Sequence, residues 1–238
     1  FIEVHGKPII EWVVKMFPGD EENITFICRD EHLQELDYMQ AELNRIAPQA
    51  SIFPITNWEK KGPVVDVLKA TSVISETNPI IISYCDYYMH WDYQLFKSQV
   101  LKNNCDGSLP CYSGFHPHLI PFQNLYASCN VDKNNNLIEI REKYSWNEDK
   151  TKDIHSPGVF YFKQKSILTK HCNQLVNNNN HINNEYYMSL PFNYLVKDGL
   201  KVWCPENVKS FCQWGTPDDL EDYMYWIEKV SNYSRDSK

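Results

Sequence analysis

The chain has 238 residues, of which 42% are hydrophobic and 14% aromatic, as expected for a globular protein with a substantial core. Its formal net charge is −8 and it contains no basic block, which argues against nucleic-acid binding as the main purpose of its surface. No run approaches the roughly 20 apolar residues of a membrane helix, and the first residues do not resemble a signal peptide. We therefore expect a cytoplasmic protein with small-molecule ligands. A few placed lysines and backbone amides would suffice to bind phosphates.

The cysteines form no CxxC pair and no ligand-like cluster along the sequence, and several lie inside apolar runs. This pattern predicts buried, reduced thiols of a cytosolic protein rather than a disulfide framework or a zinc site. The eight positions are Cys28, Cys85, Cys105, Cys111, Cys129, Cys172, Cys204 and Cys212.

The first half of the chain alternates between strand-like and helix-like patterns. Alternation at this rhythm is typical of βαβ units and of a parallel sheet with right-handed crossovers. The run Ile80-Ile81-Ile82 further suggests a strand buried on both faces, as in the interior of a parallel sheet. Apolar spacing predicts strands at residues 1–4, 24–28, 51–55 and 80–83, and helices at 9–17, 33–46 and 64–75.

The second half has a different character, with several strands before its last helices. No repeat, linker or change of composition divides the chain, so the sequence predicts one domain over residues 1–238. The patterns predict strands at 107–114, 125–131, 137–143, 158–162 and 200–204, and helices at 166–176, 186–197 and 217–230.

Asp86 closely follows the isoleucine run. Ligands of open α/β sheets bind beyond the carboxyl ends of the strands, where a catalytic or metal-binding carboxylate belongs. The alternative is an acid that only caps a turn or a helix. Asp92 is a weaker candidate for the same metal because it lies further along the chain. His116-Pro117-His118 is a poor metal pair because of its central proline and the lack of a third ligand.

Three further polar clusters lie in loops or at strand ends. In the loop Asn57–Gly62, the glycine would let the backbone approach a flat ligand closely. At the end of a strand, Glu142 and Lys143 suit sugar hydroxyls and a phosphate respectively. Glu185 stands at the start of the predicted helix 186–197. The alternatives are an ordinary loop, a solvated charged edge and a residue that compensates the helix dipole.

The order of these features resembles that of the sugar-phosphate nucleotidyltransferases. The resemblance is greatest to members from capsule and surface-polysaccharide biosynthesis, whose opening is similar to FIEVHGKPIIEWV at residues 1–13. The matches run in family order over essentially the whole chain and are specific jointly rather than singly. The matching segments are 1–13, 24–33, 61–63, 84–88, 142–143, 156–159, 184–187 and 213–217.

The resemblance implies an α/β, Rossmann-like nucleotidyltransferase fold of the glycosyltransferase-A type, with a central, mostly parallel mixed sheet flanked by helices. It also implies a reaction in which the phosphate oxygen of a sugar phosphate attacks the α-phosphorus of CTP, UTP or dTTP and releases pyrophosphate. Mg²⁺ is the implied cofactor. Such phosphoryl transfer needs positioning and charge neutralisation more than a covalent nucleophile.

The same resemblance implies roles for particular residues. Asp86 and Lys143 are the implied catalytic residues. The base would contact Gly62 and Asn57, the Mg²⁺ on the triphosphate would bind Asp86, and the acceptor would contact Glu142 (hydroxyls), Lys143 (phosphate), Gly158 and Glu185.

The chain departs from the family pattern in two places. The family's first strand and glycine-rich phosphate loop would precede Phe1, so we expect a fragment of a longer product or a gene read from an internal start. Many relatives also have a second metal-binding Asp where this chain has Gln213, and a neutral amide is a weaker Mg²⁺ ligand. Asp218 is a possible substitute for that acid.

Two other function classes remain open at this point. The missing loop and Gln213 favour a catalytically degenerate homologue that binds a nucleotide, a sugar phosphate or a partner. A metal-dependent glycosyltransferase would share the sheet and the acid at the strand end. It would, however, need a DxD pair, which Asp86-Tyr87-Tyr88 does not supply.

Overall fold

The computed structural model of the chain describes residues 1–120 and 123–236, which form eight α-helices and thirteen strands. The helices are α1 (Ile9–Lys15), α2 (Asp30–Glu35), α3 (Asp37–Ile46), α4 (Pro63–Lys69), α5 (Tyr93–Asn103), α6 (Lys165–Asn177), α7 (Pro191–Lys197) and α8 (Pro217–Asp236). The strands are β1 (Glu3–Val4), β2 (Lys7–Pro8), β3 (Thr25–Arg29), β4 (Ser51–Ile55), β5 (Ile80–Ser83), β6 (Tyr87–Trp91), β7 (Gly107–Ser108), β8 (Ala127–Val131), β9 (Leu137–Glu142), β10 (Ile154–Ser156), β11 (Val159–Phe162), β12 (Val202–Trp203) and β13 (Val208–Gln213).

The first part of the chain follows the predicted alternation closely. Strands β3 and β4 pair in parallel, with Thr25 opposite Ser51 and Arg29 opposite Ile55, as expected for two strands joined through helices. The predicted helix over 33–46 is divided at Leu36 into α2 and α3. The βαβ interpretation is therefore confirmed for this pair of strands.

The central sheet is mixed and has the strand order β12-β7-β11-β5. Strands β7 and β12 are parallel, whereas β11 runs antiparallel to both β7 and β5. The isoleucine run in β5 is therefore not a sign of parallel pairing. Its side chains are only partly buried, because among the described residues β5 has a strand partner on one edge alone. The interpretation as a strand buried on both faces was wrong.

The second half supplies two smaller antiparallel sheets. One has the order β10-β8-β9, and the other pairs β6 with β13. The sequence patterns did not predict β6, α5, β10 or β13. The β6–β13 pair matters most for the site, because it brings residues 87 and 213 directly opposite each other.

The helix predicted over 186–197 begins only at Pro191, which occupies its first turn. The backbone before it is used elsewhere: the Tyr186 N–H donates to Lys61 O (2.8 Å), and Tyr186 O accepts from the Val64 N–H (3.1 Å). Backbone groups committed to a neighbouring loop are not available to a helical ladder. The expectation that Glu185 opens a helix was therefore wrong.

Two main apolar cores lie on either side of the central sheet. One includes Phe160, Phe162 and Phe192 and packs the sheet against α4, α6 and α7. The other surrounds Tyr87 and Phe211 and covers the β6–β13 pair with α1. These cores fix β5, β6 and β13, whose ends form the site described below. No helix in the described ranges is long and apolar enough to span a bilayer.

Candidate active site

Asp86 lies in the short turn between β5 and β6. Its backbone carbonyl accepts a hydrogen bond from the Trp214 N–H (3.2 Å), which ties the turn to the end of β13. Because Gln213 pairs with Tyr87 in the β6–β13 ladder, Gln213 is held next to Asp86. The strand pairing thus brings Gln213 to the acid that follows β5.

Gly215 shows how closely these side chains approach each other. A Cβ atom at Gly215 would lie 2.5 Å from Asp86 Oδ2 and 3.1 Å from Gln213 Nε2. The space that a larger residue would fill is therefore occupied by the Asp86 carboxylate and the Gln213 amide. Glycine at this position is required for the two side chains to face the same point.

The Asp86 side chain is exposed to solvent, as is its neighbour Cys85, yet protein surrounds both at longer range. This is the situation of residues in the wall of a cleft. Burial raises the pKa of the Asp86 carboxyl above its ordinary value.

The donor set at Asp86 fits a hard divalent cation. Mg²⁺ prefers oxygen ligands and is commonly held by one or two carboxylates together with substrate phosphates. The hydrogen bond of the Asp86 carboxylate comes from its own backbone N–H, and this leaves acceptor capacity for a cation. The Gln213 side-chain amide lies beside it, with Nε2 near the same face of Gly215.

Asp219, not Asp218, is the acid of α8 that turns towards this region. Asp219 accepts hydrogen bonds from the hydroxyls of Thr216 (2.6 Å) and Tyr126 (3.5 Å). Burial, and then the carboxylates of Asp219 and Asp86, raise the pKa of Tyr126, which places its hydroxyl near both acids. Asp218 is exposed in the first turn of the helix.

Glu142 ends β9 and is partly buried. Its carboxylate accepts a hydrogen bond from the Ser189 hydroxyl, in the segment just before α7. Burial raises the pKa of Glu142 to about 7, against the smaller opposing effects of Ser189 and Lys143. A carboxylate with few protein partners has acceptor capacity left for hydroxyl groups of a ligand.

Lys143 has a left-handed backbone with φ of 54°, which is uncommon for a residue with a side chain. The conformation is held by a hydrogen bond from its N–H to Tyr126 O (3.0 Å). Its ammonium lies 5.7 Å from the centre of the Tyr187 ring and makes no ion pair with any described carboxylate. By contrast, the neighbouring Arg141 is bound to Glu139. Lys143 is therefore the cation of this strand end that is available to a phosphate.

Tyr84 connects the side chains around Asp86 with those around Glu142. Its hydroxyl accepts a hydrogen bond from the Met188 N–H (3.2 Å). Burial, and then the carboxylates of Glu142 and Asp86, raise the pKa of Tyr84. Its ring packs against Gly158, where a Cβ would lie 2.8 Å from Tyr84 Cδ2. The absence of a Cβ at Gly158 thus leaves room for the Tyr84 ring, while the Met188 N–H fixes the hydroxyl.

Gly62 and Glu185 are brought together at the start of α4. Gly62 has φ of 91°, and a Cβ there would lie 2.6 Å from Tyr186 N and 2.9 Å from Tyr186 O. The Lys60 ammonium forms an ion pair with the Glu185 carboxylate at 3.3 Å. Burial and the Glu185 carboxylate raise the pKa of the adjacent Tyr187 to about 12. The missing Cβ of Gly62 therefore admits protein backbone, a use that the sequence did not reveal.

We expect Gly62→Ala to lower the free energy of unfolding by at least about 2 kcal/mol, since it adds both a left-handed strain and a backbone collision. Gly199→Ala is the matched control, because Gly199 has φ of 77° but nothing within 4 Å of its Cβ position. Urea denaturation of both variants measures the difference. If both variants lose the same free energy of unfolding, the collision with the Tyr186 backbone contributes nothing to the loss.

The remaining predicted positions have local roles. Asn57 is exposed with φ of 50°, and its carbonyl accepts from Lys69 Nζ (3.4 Å). Asp92 caps α5 by accepting from the Leu95 N–H (2.8 Å). His118 shares a hydrogen bond with the Tyr112 hydroxyl (2.8 Å), and burial lowers its pKa to about 3. Asp92 thus serves as a helix cap, and His118 is a packed side chain with a hydroxyl partner.

The fold was compared with known proteins. No family model and no curated protein matches the chain. Among solved structures, a nucleoside-diphosphate-sugar pyrophosphorylase from Vibrio cholerae matches with a TM-score of 0.70 and 17% identity, over 94% of this chain and 90% of that one. A UDP-glucose pyrophosphorylase complexed with UDP-glucose matches with a TM-score of 0.68 and 13% identity, over 96% and 89% of the two chains.

The fold is that of the sugar nucleotidyltransferases. A third match, a putative glucose-1-phosphate thymidylyltransferase from Bacillus anthracis in complex with a sucrose, has a TM-score of 0.69 and 13% identity over 93% of this chain and 82% of that one. At such identities the likeness establishes the nucleotidyltransferase fold alone. The α/β, Rossmann-like prediction is thereby confirmed.

The sequence did not single out three residues that contribute to this candidate site. Tyr84 and Tyr187 lie inside matching segments, but an aromatic side chain there has no distinctive chemistry until its neighbours are known. Ser189 lies within a stretch predicted to be helical. The signal that could have found it is Pro191, which favours the first turn of a helix and so leaves residue 189 outside.

Proposed function

We propose that this chain carries the active site of a sugar-phosphate nucleotidyltransferase. It would transfer an NMP from CTP, UTP or dTTP to a sugar phosphate or a similar phosphorylated acceptor, with release of pyrophosphate. The observation that best supports this is Tyr84, which precedes Asp86 by two residues and whose hydroxyl accepts from the Met188 N–H, next to the Ser189 hydroxyl that donates to Glu142. A two-substrate transfer needs two such carboxylates at neighbouring positions, one for each substrate.

The acceptor half consists of Glu142 and Lys143. The carboxylate orients the acceptor by accepting hydrogen bonds from its hydroxyls, and the unpaired ammonium holds its phosphate. Gly158 and Glu185 line this half through their contacts with Tyr84 and Tyr187. An acceptor held in this way presents a phosphate oxygen to the α-phosphorus of the NTP, and pyrophosphate leaves from the opposite side.

The nucleotide half consists of Asp86 and Gln213, with Asn57 and Gly62 proposed to lie near the base. Asp86 would hold Mg²⁺ through a carboxylate oxygen, with the Gln213 amide oxygen as a weaker second donor. When bound, Mg²⁺ supplies neutralisation of the charge on the triphosphate. The protein contributes no covalent nucleophile and acts by positioning both substrates. We propose that the activated sugar serves surface-polysaccharide biosynthesis.

A second candidate is a homologue that binds the same ligands without turnover. The observation that favours it is Gln213, because an amide replaces a carboxylate beside Asp86. A glycosyltransferase is not favoured. The position of its second acid is occupied by Tyr88, whose ring stacks on Trp214 at 6.1 Å.

A pyrophosphate-release assay tests the proposal. The chain is incubated with Mg²⁺ and each of ATP, CTP, GTP, UTP and dTTP, against a panel of sugar 1-phosphates, and ligand binding is measured in parallel by calorimetry. We expect release with one pyrimidine nucleotide and one acceptor class. Binding of nucleotide and acceptor without release would support the second candidate. Neither binding nor release would contradict both.

A further inference from the structure

Three cysteines that are far apart in sequence converge below the central sheet. Cys111 follows β7, Cys129 lies in β8 and Cys204 follows β12. Their Sγ atoms all lie within 4.8 Å of one another. The exposed fractions of the three residues are 0%, 4% and 0%. The spacing of these residues gave no sign of a cluster, because it is created by the pairing of separate strands.

Backbone pairing holds the three positions in place. The parallel β7–β12 ladder continues beyond both strands, where the Cys111 N–H donates to Pro205 O (2.8 Å). The Cys204 N–H donates to Asn135 O (2.8 Å) in the turn that joins β8 to β9, and so draws Cys204 towards Cys129. The positions of the three cysteines are therefore fixed by backbone hydrogen bonds.

The surroundings contain little that competes for the sulfur atoms. The three side chains are part of the apolar core with Leu109, Ile140 and others. The Cys111 thiol donates to Leu109 O (3.2 Å), and the other hydrogen bonds of these sulfurs connect the three thiols with one another. Within residues 1–120 and 123–236, this is the one group of three or more His, Cys, Asp or Glu side chains whose ligand atoms come so close.

The triangle of sulfurs is nearly the size that a metal ion requires. A point equidistant from three sulfurs 4.8 Å apart lies about 2.8 Å from each, and zinc–thiolate bonds are about 2.3 Å long. Each sulfur would move inward by about 0.5 Å at most, which a small rotation of the side chain supplies. We propose that Cys111, Cys129 and Cys204 form a trigonal thiolate site for a soft monovalent ion, Cu(I).

The coordination number favours Cu(I) over zinc. Structural zinc takes four ligands, and the group contains three. His155 does not complete a fourth position: its ring stacks on Tyr112 at 5.3 Å, its Nε2 is bonded to Lys150 O (2.9 Å), and its Nδ1, although without a hydrogen-bond partner, does not lie within 4.8 Å of all three sulfurs. Soft thiolates select Cu(I), whereas the oxygen ligands at Asp86 select hard ions. The two sites would therefore not compete for the same metal.

Binding needs no electron transfer. The ion enters as Cu(I), and each coordinating thiol releases its proton to solvent as its sulfur binds. Entry would require local opening beside the fully buried Cys204, where β12 has two residues and is covered on its outer edge only by the Asn136–Trp203 bridge and the bond from the Cys204 N–H to Asn135 O. Short edge elements open locally at a lower free energy than central strands do.

The test titrates the full chain with Cu(I), held reduced and buffered by a competing chelator. One ion is expected per chain, with three sulfur neighbours by X-ray absorption spectroscopy. Cys129→Ala and Cys204→Ala should each weaken binding at least 100-fold. The control is Cys172→Ala, because Cys172 is also fully buried but lies outside the group. It should bind as the wild type does.

Thermal unfolding distinguishes a variant that has lost the metal site from one that fails to fold. Cu(I) should raise the Tm of the wild type and of Cys172→Ala but not that of the two triad variants, provided their circular dichroism is native. Should either triad variant be unfolded, Cys111→Ser replaces it. Sub-stoichiometric binding, binding unchanged in the folded triad variants, or a spectrum without three sulfur neighbours would overturn the proposal.

Discussion

Replacing Asp86 by alanine is expected to reduce the rate of pyrophosphate release at least ~100-fold, because the variant lacks the carboxylate proposed to hold Mg²⁺ on the triphosphate. The fold should survive, since the side chain is exposed and its structural tie to Trp214 runs through the backbone carbonyl. Steady-state kinetics with saturating acceptor, at several Mg²⁺ concentrations, measure the effect. The variant should not be rescued by high Mg²⁺.

Asp92→Ala is the matched control for this prediction. Asp92 is a nearby acid whose carboxylate caps α5 through the Leu95 N–H. Its loss should cost about 1 kcal/mol of stability and leave the rate unchanged. Equal rates in Asp86→Ala and the wild type would remove Asp86 from the proposed metal site. Equal losses in the two variants would indicate a general effect on the fold.

Glu142→Gln is expected to change how stability depends on pH. Burial raises the pKa of Glu142 from 4.5 to about 7 in the folded protein, so the folded state holds this proton more tightly than the unfolded chain. Ionising Glu142 therefore destabilises the wild type as pH rises from about 4.5 through about 7. The variant has no such proton. Its stability relative to the wild type should increase by about 3 kcal/mol across that range.

Urea denaturation at pH 4.5, 6 and 8 measures this difference. Glu139→Gln is the control on the same strand, because the half-exposed Glu139 side chain is paired with Arg141. It should show no comparable dependence on pH. A constant difference between wild type and Glu142→Gln from pH 4.5 to 8 would mean that Glu142 has an ordinary pKa and is well solvated.

The sequence indicated the fold and the single positions of the site, but not how these positions meet. Asp86 after β5 and Glu142 at the end of β9 were visible as acids that end apolar runs. Their connection through Tyr84 was not visible, because it depends on Gly158 admitting the ring and on the Met188 N–H orienting the hydroxyl. Such contacts are set by tertiary packing.

The incorrect predictions of secondary structure and strand pairing have similar causes. The apolar periodicity of residues 186–197 suits a helix, but the backbone of Tyr186 is already paired with the loop before α4. The isoleucine run of β5 was taken as evidence of parallel pairing, whereas its partner β11 is antiparallel. The local sequence pattern indicates burial and spacing. It does not indicate which strand or loop will supply the hydrogen-bonding partner of the backbone.

The central claim is that Asp86 and Glu142 serve two substrates of one nucleotidyl transfer. It is tested most directly with NTP labelled separately at the α- and γ-phosphorus. We predict that the α-label appears in a nucleotide sugar and the γ-label in pyrophosphate, at equal rates, and that both transfers fail in Asp86→Ala. Label that remains in the NTP in the presence of the acceptor panel, or γ-label released as orthophosphate, would contradict the claim.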